Sequence, residues 1–365
     1  MIIFLFMIKA SPFRQALWRR FRKNKGGVFG LVIIVISVII ALFCYFIAPD
    51  NSPYANRIIL EIGGEKPGFK QSFLLVMRPQ RTTNFLEQAI NGKRDQVEYI
   101  PIQSWKENKD SIIAEKYIDE GLTERISYSK LSLASHPIFT QKFLLGSDKF
   151  GRDILSRLII GTRISLSVGL ITVLISLTIG IILGAVAGYF KGRTDDIIMW
   201  MINVIWSIPT LLIVFAITLL LGKGFWQVFI AVGLTMWVNV ARLVRGQVMA
   251  AKELQYVEAA KVLGFSNFRI IFKHILPNIM GPILVIAASN FASAIVIEAG
   301  LSFLGIGVQP PQPSWGLMIR ENYNFIITQN PMLALAPGFA IMLLVLSFNL
   351  LGNGLRDALN VRGKL

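Results

Sequence analysis

Six apolar runs, each about as long as a bilayer's hydrocarbon core is thick, decide what this chain can fold into. They cover residues 28–48, 164–190, 197–221, 226–245, 279–300 and 333–352. A helix needs about 20 residues to cross that core. In lipid each run must be helical, because unpaired backbone groups cannot be left facing hydrocarbon. Composition agrees: 54% of the 365 residues are hydrophobic and only 16% are charged, with mean hydropathy +0.59. A soluble domain carries about 25% charged residues. The chain therefore reads as an all-α integral membrane protein with six spanning helices.

The net charge of +16 poses a choice between nucleic-acid binding and loops facing the cytoplasm. Position decides it. Lys9 to Lys25 holds seven Lys/Arg and no acid, whereas Asp50 to Lys142 holds 13 basic and 12 acidic residues. Basic excess beside apolar runs, with balance elsewhere, is the positive-inside pattern. No basic and aromatic interleaving on a soluble module supports nucleic-acid binding. The apolar start Met1–Ile8 is too short to span and has no preceding basic residue, as a signal peptide requires. The run 28–48 is expected to be a retained first helix, with Ala48-Pro49-Asp50 as its exit. An N-terminus inside places Lys191 and Arg193, the stretch Arg242 to His274, and the tail with Arg356, Arg362 and Lys364 inside too. Both termini are then cytoplasmic, in the cytoplasmic (inner) membrane. The lone Cys44 allows no internal disulfide, and His136 and His274 show no metal-ligand spacing.

Between the first two runs lies a polar segment of about 100 residues, expected outside. Arg57 to Pro79 alternates around Gly63-Gly64-Glu65-Lys66-Pro67-Gly68, which predicts two strands and a turn. Val97–Ile102 and Leu122–Tyr128 are further strand candidates, so the insert is expected to be β-rich. In Gly151 to Ile160, Ile154, Leu155, Leu158 and Ile159 share one helical face, with Arg152, Asp153 and Arg157 opposite. That stripe predicts a helix lying on the outer membrane surface. Gly180, Gly184 and Gly188 have the small-xxx-small spacing that lets helices approach closely. Pro209 and Pro337 are expected to kink their helices.

The most informative stretch is Lys252-Glu253-Leu254-Gln255-Tyr256-Val257-Glu258-Ala259-Ala260-Lys261-Val262-Leu263-Gly264. Leu254, Val257 and Lys261, or Tyr256, Ala259 and Ala260, can each form a face of a short helix. Gly264 suits the left-handed position that ends a helix. Ser266 can cap a second helix through Phe268, Ile271 and Phe272, which Leu276-Pro277 would break. Small residues at Ala259 and Ala260 would let a partner come close. The segment reads as a docking loop.

Glu258-Ala259-Ala260, then Gly264, then Leu276-Pro277 resembles the EAA loop of the membrane subunits of bacterial ABC importers. His274, where the general pattern has isoleucine, resembles the dipeptide/oligopeptide/nickel branch. Gly146-Ser147-Asp148-Lys149-Phe150-Gly151-Arg152-Asp153 with Ser156-Arg157 and Gly161-Thr162-Arg163-Ile164-Ser165-Leu166 is similar to the start of that branch's permease core. Glu298 to Gly305, followed by Gln309 to Gly316, is similar to its segment after helix 5. The likeness covers about 12–48 and 143–360.

The resemblance implies a type I ABC-importer permease bundle of six helices, with an extracytoplasmic, β-rich insert between helices 1 and 2. Its expected parts are a basic N-terminus (1–27), a first span (28–48), the insert (49–142), a permease core (143–356) with the EAA loop at about 246–278, and a tail (357–365). It also implies partners: a second permease, two cytoplasmic ATPases docking on the loop, and an extracytoplasmic solute-binding protein. Tyr256, Val257, Glu258, Ala259, Ala260, Gly264, Leu276 and Pro277 are the candidate coupling residues. Asn203, Ser207, Asn239, Asn290, Ser293 and Glu298 are candidates for the translocation path or gate. Glu298 has a competing role, as a helix-end carboxylate pairing with Arg320 or Arg163. The chain has no Gly-x4-Gly-Lys-Ser/Thr loop, so ATP and Mg would be used by the partners, with no catalytic residue or cofactor here.

A secondary transporter would carry inverted repeats and broken helices at mid-membrane, and none is apparent. A membrane enzyme would need clustered acids or histidines, and only Glu298 offers one. A membrane-anchored receptor using the outer insert leaves the docking loop without a role.

Overall fold

The computed structural model describes residues 12–78, 84–119, 121–222, 224–325 and 330–359. The apolar start Met1–Ile8 and the tail residues Arg362 and Lys364 lie outside them. Helix α1 is Pro12–Lys23, α2 is Lys25–Leu42, and a short turn at Cys44–Ile47 follows. Five strands come next: β1 (Phe69–Met77), β2 (Val97–Glu107), β3 (Ser111–Asp119), β4 (Leu122–Ser129) and β5 (Leu133–Phe143), with α3 (Phe85–Asn91) between β1 and β2. The remaining helices are α4 (Ile154–Phe190), α5 (Gly192–Trp206), α6 (Thr210–Leu221), α7 (Phe225–Lys252), α8 (Gln255–Val262), α9 (Met280–Phe303), α10 (Trp315–Asn322) and α11 (Met332–Leu359).

Among the described residues, five helices are long and apolar enough to cross a membrane, or six if α5 and α6 form one bent span. The run 197–221 is thus broken rather than kinked: α5 and α6 meet at 91° across Ser207-Ile208-Pro209. Pro209 supplies no N–H and sits with extended ψ at the start of α6, so the ladder restarts there. Pro337 is carried inside the uninterrupted α11.

The packing falls into two compact units: Met1–Ile36 with Ser167–Glu298 and Met342–Leu365, and Ser37–Leu166 with Ala299–Ile341. In the first, the glycine row of α4 lies on α7. A Cβ at Gly180 would stand 2.5 Å from Val240 Cβ, one at Gly184 would collide with the Ala241 carbonyl, and one at Gly188 would stand 2.6 Å from the Arg245 carbonyl. The glycine spacing thus brings two backbones together, as expected from sequence. Gly184→Val is expected to force the helices apart and cost about 1–3 kcal/mol, as overpacking does. A lower thermal unfolding midpoint of the detergent-solubilised protein would report it, and an unchanged midpoint would refute the close crossing.

In the second unit the strands form one antiparallel sheet in the order β4-β3-β2-β1-β5. Alternation sorts its side chains to two faces. Leu74, Ile100, Ile102, Ile112, Ala114 and Leu133 cluster together, while Phe73 and Phe143 pack with Ile59 and Ile62 in another cluster. The β-rich expectation holds, with one correction. Arg57 to Gly68 is not a strand: Leu60–Ile62 is a 3-10 turn. Its neighbours bond elsewhere, Ile59 N–H to the Phe150 carbonyl at 3.0 Å and Gly64 N–H to that of Asp148 at 2.9 Å. The segment 147–150 satisfies these groups, so no hairpin partner is needed.

A second correction concerns Gly151 to Ile160. No separate surface helix forms; α4 runs unbroken for 37 residues from Ile154. The charged stripe is buried rather than solvated. Arg152 Nε donates to Asp148 Oδ2 at 2.6 Å and its Nη2 to Glu321 Oε2 at 2.8 Å. Arg157, 1% exposed, lies 3.5 Å from Glu321 and 3.9 Å from Asp148. Asp153 accepts from Ser156 through both N–H and hydroxyl, and burial pushes its carboxyl above the usual range. The two similar stretches around 146–166 and 298–316 meet here. A Cβ at Gly161 would stand 2.7 Å from the Trp315 ring, and Trp315 Nε1 donates to the Leu158 carbonyl at 3.1 Å.

Candidate docking segment and solute cavity

Helix α8 begins three residues after α7 ends, with Leu254 extended at its N-cap. The segment 251–254 bonds locally, Leu254 N–H to the Ala251 carbonyl at 3.1 Å, so the turn is tight. Val257 and Ala260, three residues apart, face inward. They join Val244, Val248, Ile270, Ile271 and Ile275 in one apolar cluster. Tyr256, Glu258, Ala259 and Lys261 face outward. The two alanines therefore separate: Ala259 is available for close approach, whereas Ala260 is 3% exposed and belongs to the protein's own core.

Gly264 has φ +73° and ends α8 by donating to the Lys261 carbonyl at 2.9 Å, while Phe265 N–H reaches the Ala260 carbonyl at 3.2 Å. This is the expected glycine cap. Space is not the constraint, since nothing lies within 4 Å of where a Cβ would point. Ser266 Oγ then accepts from Arg269 N–H at 3.4 Å. The Arg269 guanidinium lies 4.1 Å from the Phe265 ring centroid, and the His274 ring stacks with Phe265 at 5.6 Å. Leu276-Pro277 does not end the second helix. A π turn over Ile270–Ile275, with Leu276 N–H on the Ile271 carbonyl, widens the backbone before a 3-10 turn leads into α9. The wide turn absorbs the donor that proline lacks, and Asn278 Nδ2 takes the His274 carbonyl at 2.7 Å.

Three bonds fasten this segment. Lys191 Nζ lies 2.9 Å from Glu253, which holds the exposed Glu253 carboxyl below the usual range. Lys252 Nζ donates to the Tyr189 carbonyl at 2.6 Å, and Tyr189 hydroxyl donates to Asn267 Oδ1 at 2.8 Å. On the free side, Leu254, Tyr256, Val262, Leu263, Phe268 and Phe272 are all exposed, Val262 at 88%. Exposed apolar side chains gathered along one short segment make it a candidate interaction site.

The path candidates divide differently. Asn239, Asn290 and Ser293 line one cavity of ≈500 Å³ between α7 and α9, together with Arg242, Gln247 and Ser289. Asn203 is not among its lining residues and accepts from Arg242 Nη2 at 3.1 Å. Trp206 Nε1 donates to Asn239 Oδ1 at 3.2 Å. Ser207 is at the break after α5, its hydroxyl turned back to the Val204 carbonyl at 2.7 Å. Glu298 is 1% exposed and does not line this cavity. Arg163 donates to the Ala89 and Ile90 carbonyls at 3.4 and 2.9 Å.

Sequence reasoning missed Arg242 and Trp206 as cavity residues, having counted Arg242 only among the basic residues on the cytoplasmic side. Helix α7 continues to Lys252, which places Arg242 and Arg245 inside it. Arg245 is answered by a fork onto Asp195 at 2.5 and 2.6 Å. The available signal was a cation within an apolar run, which is costly unless used.

Residues 180–363 match the family described as binding-protein-dependent transport system inner membrane component, and residues 11–60 match the N-terminal TM domain of oligopeptide transport permease C. A di/tripeptide transport system permease protein of Pseudomonas aeruginosa is 43% identical over 98% of this chain and 95% of its own. The chain belongs to this family of transport-system inner membrane components. A glutathione transport system permease protein of Pectobacterium atrosepticum is 43% identical over 60% of this chain and 73% of its own. A solved structure of a methionine ABC transporter in an inward-facing conformation aligns with TM-score 0.46 and 17% identity, covering 56% of this chain and 96% of that one. Membership makes the chain a permease of the ABC-importer class, as the resemblance implied, and disfavours the secondary-transporter and receptor readings.

Proposed function

We propose that this chain is one of two permeases that together form a path for peptides or similar small solutes, with ATP hydrolysed by separate subunits docked on α8. The observation that carries the reading is the outward face of α8 and the following turn. It presents exposed apolar side chains beside Glu258 and Lys261, and hydrogen bonds at Tyr189 fasten it to the bundle, as a part that transmits force must be. ATPase closure would push this segment and switch the bundle between two arrangements as rigid bodies. The relatives' peptide cargo and the polar cavity at Asn239, Asn290 and Ser293 support a small polar solute. A binding protein would deliver it from the side bearing the sheet. No cofactor or metal is assigned to this chain; ATP and Mg belong to the partners.

Topology and assembly test this together. Single cysteines at Arg20 and at Glu107, with Cys44 replaced, are expected to differ in intact cells. The first should resist an impermeant thiol reagent and the second should react. An ATPase and a second permease should copurify with the solubilised protein. Labelling at Arg20, or purification of the chain without either partner from cells producing all of them, would overturn the proposal.

A further inference from the structure

We infer that the cavity between α7 and α9 is a subsite for a carboxylate group of the passing solute, with the Arg242 guanidinium and the Asn290 amide as its donors; this rests on the importer reading above. Its lining is one-sided: Arg242, Asn290, Gln247 and two serines, with no Asp or Glu. Among the described residues Arg242 has no carboxylate partner, unlike Arg245 one turn on, which is forked onto Asp195.

The guanidinium is nonetheless held in place. It lies 3.5 Å from the Trp206 ring centroid, and its Nη2 is fixed on Asn203. Stacking and one hydrogen bond orient the fork without neutralising it. Arg242 Nε is buried with no hydrogen-bond partner. Asn290 is 4% exposed, and its Nδ2 is also buried without a partner. Buried donors left unmade are expensive, and native structures rarely keep them without a use.

Both residues line one cavity of ≈500 Å³, and their donors suit a group carrying acceptor oxygens and no donors. The planar fork of an arginine matches a carboxylate best, two parallel N–H bonds to two oxygens. A short peptide presents such a group at its C-terminus, and the cavity has room for that end. Because Trp206 and Asn203 already share the guanidinium, binding stays weak enough for release, which a transport path requires.

The test uses the complete transporter, reconstituted with its binding protein and ATPases, and two probes: trialanine and trialanine C-terminal amide. Each is supplied at a concentration that saturates the binding protein. Wild-type uptake of the acid is expected to exceed that of the amide about tenfold, the size of one charge-assisted contact. Arg242→Gln should bring trialanine down to the level of its amide. Arg242→Lys, which keeps the charge without the fork, should retain part of the preference, and Asn290→Leu should lower it.

A second readout omits the binding protein. Trialanine should change the fluorescence of Trp206 in the purified permease pair saturably, and the amide should not. The inference falls if wild type treats acid and amide alike in both readouts. It falls equally if Arg242→Gln slows both peptides by one factor, as loss of a contact between permeases would. Failure of the wild type to take up either peptide would instead sink the importer reading, and the fluorescence comparison would still decide the subsite.

Discussion

Glu321→Ala is expected to destabilise the protein by about 3–5 kcal/mol, because it strands charge inside a buried cluster. Asp148 and Glu321 face Arg152 and Arg157, and all but Glu321 are at most 3% exposed. Two acids balance two bases. Removing Glu321 leaves Asp148, 3.9 Å away and already bonded to Arg152 at 2.6 Å, as the one carboxylate within 4 Å of Arg157 among the described residues. Desolvation of the second guanidinium is then uncompensated. The double variant Arg157→Met with Glu321→Met restores balance, since Arg152 keeps Asp148. It should recover most of the lost stability, as apolar replacement of whole buried ion pairs often does. Thermal unfolding of the four proteins in a double-mutant cycle checks this. A Glu321→Ala midpoint equal to wild type would show that the cluster is solvated and would refute the account.

The second large effect is expected at the docking segment, where three substitutions should separate two kinds of damage. Gly264→Val meets no atom, yet it must hold a β-branched residue at φ +73°, a strain of about 1–3 kcal/mol. The segment should reorient to escape it. Ala259→Trp lies on the exposed face and should leave the permease intact while blocking close approach. Both are expected to reduce copurified ATPase at least about tenfold, the loss typical of a residue central to an interface. Ala260→Leu should act otherwise, lowering the unfolding midpoint of the isolated permease, because Ala260 packs against the protein's own core. If Ala259→Trp and Gly264→Val keep full ATPase binding and uptake, α8 is not the coupling element.

How much of this was legible beforehand depends on the range of the interaction. The six apolar runs were readable because lipid leaves a backbone no choice but helix, so composition over about 20 residues suffices. The cap at Gly264 was readable because a left-handed residue after an amphipathic turn is a local property. The row Gly180, Gly184, Gly188 announced a close crossing, since spacing alone puts the three on one face, although it did not say that α7 would be the partner.

Other features needed three dimensions. The stripe Arg152, Asp153, Arg157 looked like a solvated face, because helical periodicity cannot distinguish water from a buried counter-charge. Glu321, more than 160 residues away, made the difference. Leu276-Pro277 looked like a stop because proline lacks a donor. Only the geometry of the preceding π turn lets the helix continue. Ala259 and Ala260 looked equivalent, and the register of α8 on Val244 and Ile270 buried one and exposed the other. By itself the sequence determined that the chain spans a membrane and where its apolar helices lie, and it pointed to the segment proposed to dock. Tertiary structure alone decided which polar groups are paired, which are buried and which, as Arg242 Nε and Asn290 Nδ2, have no hydrogen-bond partner among the described residues, because those outcomes depend on side chains brought together from distant positions.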